Sequence, residues 1–111
     1  MVDFNPNFQI SGFKPKFDLN EVKFGGNHSD STKKFANNVH QKIQDSFAEQ
    51  DIKAKVVVSA GFKDGQPILY ITAYDNGKPV IKDAENAIQN NLPDGASLTV
   101  YDHKAEILLR E

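Results

Sequence analysis

The fold of this chain is decided by Lys53-Ala-Lys-Val-Val-Val-Ser-Ala-Gly-Phe62, Lys63-Asp64-Gly65-Gln66 and Pro67-Ile-Leu-Tyr-Ile-Thr-Ala-Tyr74, which are consecutive. The first and third segments are rich in β-branched and aromatic residues, which favour strands. Asp64-Gly65 between them is a preferred pair for a two-residue type I′ turn, because both of its central positions need a positive φ. The stretch therefore predicts a β-hairpin.

The turn also predicts the pairing of the two strands, because Lys63 must then face Gln66 and Phe62 must face Pro67. Continuing these pairs divides the hairpin into two faces. One face carries Phe62, Pro67, Ala60, Leu69, Val58, Ile71, Val56 and Ala73. The other carries Gly61, Ile68, Ser59, Tyr70, Val57, Thr72, Lys55 and Tyr74. The first set is wholly apolar and the second is mixed, as expected for an antiparallel pair with one buried face.

A long amphipathic helix is predicted before the hairpin. Ser29 or Asp30 is a suitable N-cap, and the helical pattern continues to about Gln50. At 100° per residue, one stripe contains Phe35, Val39, Thr32, Ile43, Ala36, Phe47 and His40. We expect this stripe to cover the apolar face of the hairpin.

The N-terminal region is too apolar for a disordered tail, since residues 1–27 hold five of the eight phenylalanines. Phe8-Gln-Ile10 predicts a short strand. Lys16 to Phe24 predicts a second strand, in which the apolar alternation changes phase near Asn20-Glu21, so a bulge or break is expected there.

After the hairpin, Asp75-Asn76-Gly77-Lys78 predicts a second tight turn, with Tyr74 facing Pro79. A second helix is then predicted, because Ala84, Ala87, Ile88 and Leu92 repeat at helical spacing before Pro93 stops it. For residues 97–109 we expect one bent strand. The alternative is two strands joined at Asp102-His103-Lys104.

These elements predict a single α+β domain over residues 1–111. We expect a two-layer sandwich, with a mainly antiparallel sheet and one long and one short helix. The element order resembles the ferredoxin-like βαββαβ pattern with an extra N-terminal strand. The alternative keeps a helix, a three-strand meander and a helix as the unit, with the N- and C-terminal strands added at its edge. Either fold hosts many functions.

Composition restricts the classes of protein to be considered. The 111 residues include no cysteine, so disulfides and thiol catalysis are excluded. The start of the chain lacks the basic and apolar regions of a secretory signal, and no apolar run is long enough to cross a membrane. We therefore expect a cytoplasmic protein. Only one of the thirteen basic residues, Arg110, is an arginine, which disfavours a nucleic-acid reader.

One glycine loop that opens onto a helix start is a candidate anion site. The residues concerned are Gly25, Gly26, Ser29, Ser31 and Lys33. Free N–H groups and the positive end of the helix dipole suit an anion. The spacing matches no phosphate-binding motif, however, so a flexible loop with a serine or aspartate cap is the favoured interpretation.

The histidines and carboxylates predict neither a metal nor a catalytic centre. His28, His40 and His103 belong to no HxH, HxxxH or HExxH pattern, and no cysteine can complete a zinc site. The acidic residues are scattered through turns and helix faces rather than paired. We expect no metal, no cofactor and no catalytic residue, although an enzyme is not excluded.

The mixed face of the hairpin is the candidate interface. Val57, Ile68, Tyr70, Thr72 and Tyr74 lie on it, and exposed apolar patches usually mark interfaces. We expect this face to pack either against a partner subunit or against the phenylalanine-rich N-terminal segment. The sequence thus favours a non-catalytic protein-interaction or regulatory module that self-associates. The alternatives are RNA or single-stranded DNA binding through the tyrosines, and a small ligand binder or enzyme at the loop of residues 25–34.

Overall fold

The computed structural model describes residues 21–110. Its strands are β1 (Val22–Phe24), β2 (Lys55–Lys63), β3 (Gln66–Asp75), β4 (Lys78–Pro79), β5 (Ser97–Val100) and β6 (Ala105–Leu108). Its helices are α1 (Asp30–Glu49), a short 3-10 helix (Ile81–Ala84) and α2 (Glu85–Gln89). The strand predicted at Phe8-Gln-Ile10 lies outside the described residues, and of the strand predicted from Lys16 only its last part, β1, lies within them.

The predicted hairpin is confirmed residue by residue. Strands β2 and β3 pair in the expected register, from Lys63 facing Gln66 to Lys55 facing Tyr74. Asp64 and Gly65 have φ values of 52° and 82°, as a type I′ turn requires. The second turn is confirmed as well, because Tyr74 faces Pro79.

The six strands form one mixed sheet in the order β1-β2-β3-β6-β5, with β4 paired to the far end of β3. Strand β1 runs parallel to β2 and is its direct neighbour. A ferredoxin-like order is not confirmed, because its split βαβ unit places another strand between the two parallel strands. The sheet is closer to the alternative fold predicted from the sequence, because β1, β6 and β5 are added to a meander formed by β2, β3 and β4.

The expected single strand over residues 97–109 is wrong, because the chain reverses and forms the β5–β6 hairpin. The pairing of β6 with β3 decides for two strands, and the parity of the apolar residues agrees with it. Leu98 and Val100 pack against the core, and so do Ala105 and Ile107. In one continuous strand, even-numbered and odd-numbered residues would point to opposite faces. Pairing Val100 with Ala105 in a hairpin instead brings all of them to the same side.

The apolar face of the sheet and both helices form one core. The stripe predicted on α1 is confirmed: its residues are buried, apart from the half-buried Phe35. Its apolar members lie in or against the same cluster as the inward-facing residues of β2 and β3 from Val56 to Ala60 and from Leu69 to Ala73, whereas Phe62 at the end of that face is 49% exposed. Ile81, Ala84 and Ile88 extend this cluster from the 3-10 helix and α2, so the second helix is also held by core packing.

Helix α1 has a defined cap at each end. The Ser29 hydroxyl accepts a hydrogen bond from the Thr32 N–H at 3.2 Å, which confirms Ser29 as the N-cap. At the other end, Asp51 has a φ of 59°. The Ile52 N–H donates to the Phe47 carbonyl at 2.8 Å, and the Asp51 N–H to the Ala48 carbonyl at 3.2 Å. These two bonds form a Schellman motif.

Candidate interaction surface

The side of the sheet opposite the core is called the outer face here. Cross-strand pairing places the five predicted interface residues on it: Val57, Ile68, Tyr70, Thr72 and Tyr74. Strand β6 adds Glu106 beside Tyr70 and Leu108 beside Ile68. Strand β5 adds Thr99 and Ser97. The face therefore runs across every long strand of the sheet.

Exposure varies across the outer face. Tyr74 is 38% exposed, whereas Ile68 is only 2% exposed. Val57, Tyr70 and Thr72 are half-buried. The accessible part of the predicted interface is therefore mainly polar and aromatic.

A lysine lies between two tyrosines at one side of the outer face. The Lys104 ammonium is 5.6 Å from the centroid of the Tyr70 ring and 5.5 Å from that of the Tyr101 ring. Both distances fall within the range of cation–π attraction. The same ammonium lies 3.0 Å from Glu106, whose hydrogen bond and charge raise the pKa of Lys104 above its ordinary value. Lys104, Glu106 and the two rings thus form one connected group.

The remaining charged side chains of the outer face are lysines. Lys55 pairs with Tyr74 and Lys63 with Gln66, so both project to this side. Lys23 of β1 projects beside Ser59 in the same way. All three are exposed. Within residues 21–110 none of them has a carboxylate within ion-pair distance. Sequence reasoning missed Lys23, because its side depends on the pairing of β1 with β2.

Four of the five predicted anion-site residues have structural contacts in this fold, and the fifth, Lys33, is exposed. The Gly25 N–H donates to the Ala60 carbonyl at 2.9 Å, so the loop is tied to β2. Gly26 has a φ of +88°, and a Cβ at that position would lie 3.1 Å from the Phe62 ring. Ser29 caps α1, and its hydroxyl lies 3.0 Å from that of Ser31. Lys33 is exposed on the helix surface. Anion binding at this loop stays a prediction.

Ser31 also lines a cavity that the sequence did not predict. The cavity has a volume of about 120 Å³. Its walls are Ser31, Thr32, Phe35, Pro93, Asp94, Leu109 and Arg110. Arg110 reaches this place only because the strand before it, β6, lies in the same sheet as the hairpin. No local pattern in the sequence signals that approach.

The two buried histidines hold β1 and the loop that follows it. The His28 ring stacks on Phe62 with centroids 4.3 Å apart, and its Nε2–H donates to the Gly25 carbonyl at 3.0 Å. The Nε2–H of His40 points toward the Val56 carbonyl at 3.1 Å and toward Glu21 at 3.2 Å. These contacts support structural roles for both rings.

Within residues 21–110, no group of three or more histidine or carboxylate side chains is placed to hold a metal ion. No helix in the same part of the chain is long and apolar enough to cross a membrane. No known protein family, curated protein or solved structure matches this chain. These comparisons give no information on function, so the surface of the protein is the remaining guide to it.

Proposed function

We propose that this chain is a non-catalytic protein-interaction or regulatory module that self-associates. The observation that carries the interaction function is the outer face, which crosses the long strands of the sheet and presents the exposed ring of Tyr74 on the same side as the half-buried Val57 and Tyr70. The support for self-association is the exposed edge strand β5. Tyrosine is enriched at protein interfaces because it combines a large apolar area with a hydroxyl group.

The proposal includes a two-layer arrangement in which both helices cover one side of the sheet and the outer face stays available. Its support is that the buried residues of α1 and α2 share one cluster with the inward-facing residues of β2, β3 and β6. We also propose that the chain works in the cytoplasm.

Two routes to self-association follow from the sheet. Two copies can pair through the outer face, or an exposed edge strand such as β5 can pair with an edge of a second sheet. The first route buries Tyr74, whereas the second leaves it exposed. A substitution at Tyr74 therefore separates the two routes.

Sedimentation velocity over a range of concentrations up to high micromolar tests the proposal. We expect the wild-type sedimentation coefficient to rise with concentration.

Tyr74→Ser weakens association through the outer face. Phe24→Ser is the matched control, because Phe24 is 37% exposed on the opposite side of the sheet. Association that neither substitution changes indicates an edge strand. A strictly monomeric wild type contradicts self-association.

A further inference from the structure

The charges on the outer face differ from those on the rest of the surface. Lys23, Lys55 and Lys63 project from β1 and β2 without a nearby carboxylate among the described residues. The strand side chains of this face include one acid, Glu106, and it is paired with Lys104. The chain as a whole carries a net charge of −2. The outer face is therefore a basic surface on a slightly acidic protein.

The polar face of α1 provides the contrast. It carries Lys33, Lys34 and Lys42 together with Asp30, Asp45 and Glu49. Mixed charges of this kind are ordinary for a solvated helix surface. Separation of charge onto one face is instead what steers an oppositely charged partner.

We propose that the outer face binds an acidic protein segment in an extended conformation, an inference that rests on the proposed interaction function. Lys55 and Lys63 are eight residues apart on β2, which corresponds to roughly 27 Å along a strand. Lys23 projects between them, beside Ser59. The three ammonium groups thus lie on the same side of the sheet as the half-buried Val57, and an extended segment of similar length can meet them all.

A second copy of this chain is a poor occupant of the same surface. In a symmetric pairing of two outer faces, each lysine would meet a surface that carries the same lysines. The acid available on that surface, Glu106, already contacts Lys104 at 3.0 Å. Like charges brought together in this way oppose association. Self-association of this chain should therefore use an edge strand and should be insensitive to Tyr74→Ser.

A single-stranded nucleic acid fits the surface less well than an acidic protein. Stacking of bases needs free aromatic ring faces, whereas the Lys104 ammonium already lies near the rings of Tyr70 and Tyr101. The half-buried side chains of Val57 and Leu108 instead suit the side chains of a protein.

Fluorescence anisotropy with labelled poly-L-glutamate tests the inference at low and at moderate salt. We expect the wild type to bind, and Lys55→Glu/Lys63→Glu to raise the Kd by about tenfold or more. Lys34→Glu/Lys42→Glu is the matched control, because it changes the net charge equally on the exposed surface of α1. This control should bind like the wild type. Circular dichroism verifies that both variants are folded.

Three results would overturn the inference. The first is a wild type that does not bind poly-L-glutamate at low salt. The second is an equal loss of binding in both double variants, which would indicate a non-specific effect of net charge. The third is stronger binding of labelled oligo(dT) than of poly-L-glutamate, which would assign the face to nucleic acid. Self-association can persist in the first two cases, so the proposed function is tested separately by sedimentation.

Discussion

Asp51 occupies a backbone conformation that normally favours glycine. Its φ of 59° lies in the left-handed region, at the position where the Schellman motif ends α1. Asparagine and aspartate tolerate this region better than other residues with a Cβ, but still at a cost. The motif is anchored by Ile52, which packs partly against the core.

Replacing Asp51 with glycine should therefore increase the free energy of unfolding by about 0.5–1 kcal/mol. The matched control is Ala48→Gly, which introduces glycine within the helix and should decrease it by about 1 kcal/mol. Urea denaturation followed by circular dichroism measures both values. A destabilised Asp51→Gly variant would show that the aspartate side chain makes a compensating contribution.

Two glycines of the central hairpin provide a second comparison at the residue scale. At both Gly61 and Gly65 an added Cβ would meet no atom within 4 Å, but only Gly65 has a positive φ, of +82°. Gly65→Ala should decrease the free energy of unfolding by about 1 kcal/mol or more, whereas Gly61→Ala should be neutral or slightly stabilising. Equal effects in thermal denaturation would mean that the sign of φ is not the deciding factor.

At the scale of elements, the turn between β5 and β6 is tied to the 3-10 helix. Lys82 Nζ lies 2.7 Å from Asp102 Oδ1, and both side chains are exposed. The hydrogen bond and charge of Lys82 lower the pKa of Asp102 below 3.8. A carboxyl whose pKa is lowered in the folded state stabilises the fold above its unfolded pKa. That contribution is lost as the pH falls through the folded pKa.

An NMR titration of the Asp102 carboxyl group checks this ion pair directly. The midpoint should lie below 3.8 in the wild type and should rise toward that value in Lys82→Gln. Because an exposed pair of this kind contributes little to stability, the melting temperature of Lys82→Gln should match that of the wild type. Identical midpoints in the two proteins would contradict the contact.

The β5–β6 hairpin, which contains this turn, was not predicted from the sequence. The central hairpin was predictable because Asp64-Gly65 specifies both the turn and the register. Asp102-His103 carries no such signal. The parity change between Val100 and Ala105 was visible, but a bend in one strand also accommodates apolar residues of both parities. Only the pairing of β6 with β3 decides between these possibilities.

At the scale of the whole molecule, both helices and the sheet share a single core, so truncating a buried residue should weaken all of them together. Leu69→Ala should decrease the free energy of unfolding by about 2–5 kcal/mol, because Leu69 is fully buried in this cluster. Leu108→Ala is the matched control, because it removes the same atoms from the half-buried outer face. Its effect should be clearly smaller.

Chemical denaturation followed by circular dichroism and by tyrosine fluorescence provides the measurement. The two signals should change in one cooperative transition for both variants. Separate transitions would contradict a single core. Equal destabilisation by the two truncations would mean that the outer face is packed as tightly as the inner one.

The sequence by itself determined the elements whose information is local. A turn pair with positive φ, an alternation of apolar residues and a capped amphipathic stripe each act within a few residues, so the β2–β3 hairpin and helix α1 were predictable. It also placed Tyr70, Tyr74 and Lys55 on the same face of the hairpin. The tertiary structure alone decided the position of β1 beside β2, the reversal at residues 101–104 and the approach of Arg110 to α1. It also placed Lys23 on the same face of the sheet as Lys55 and Lys63. The physical reason is that these contacts join distant segments, and their free energy depends on the core that forms between them rather than on any local preference of the chain.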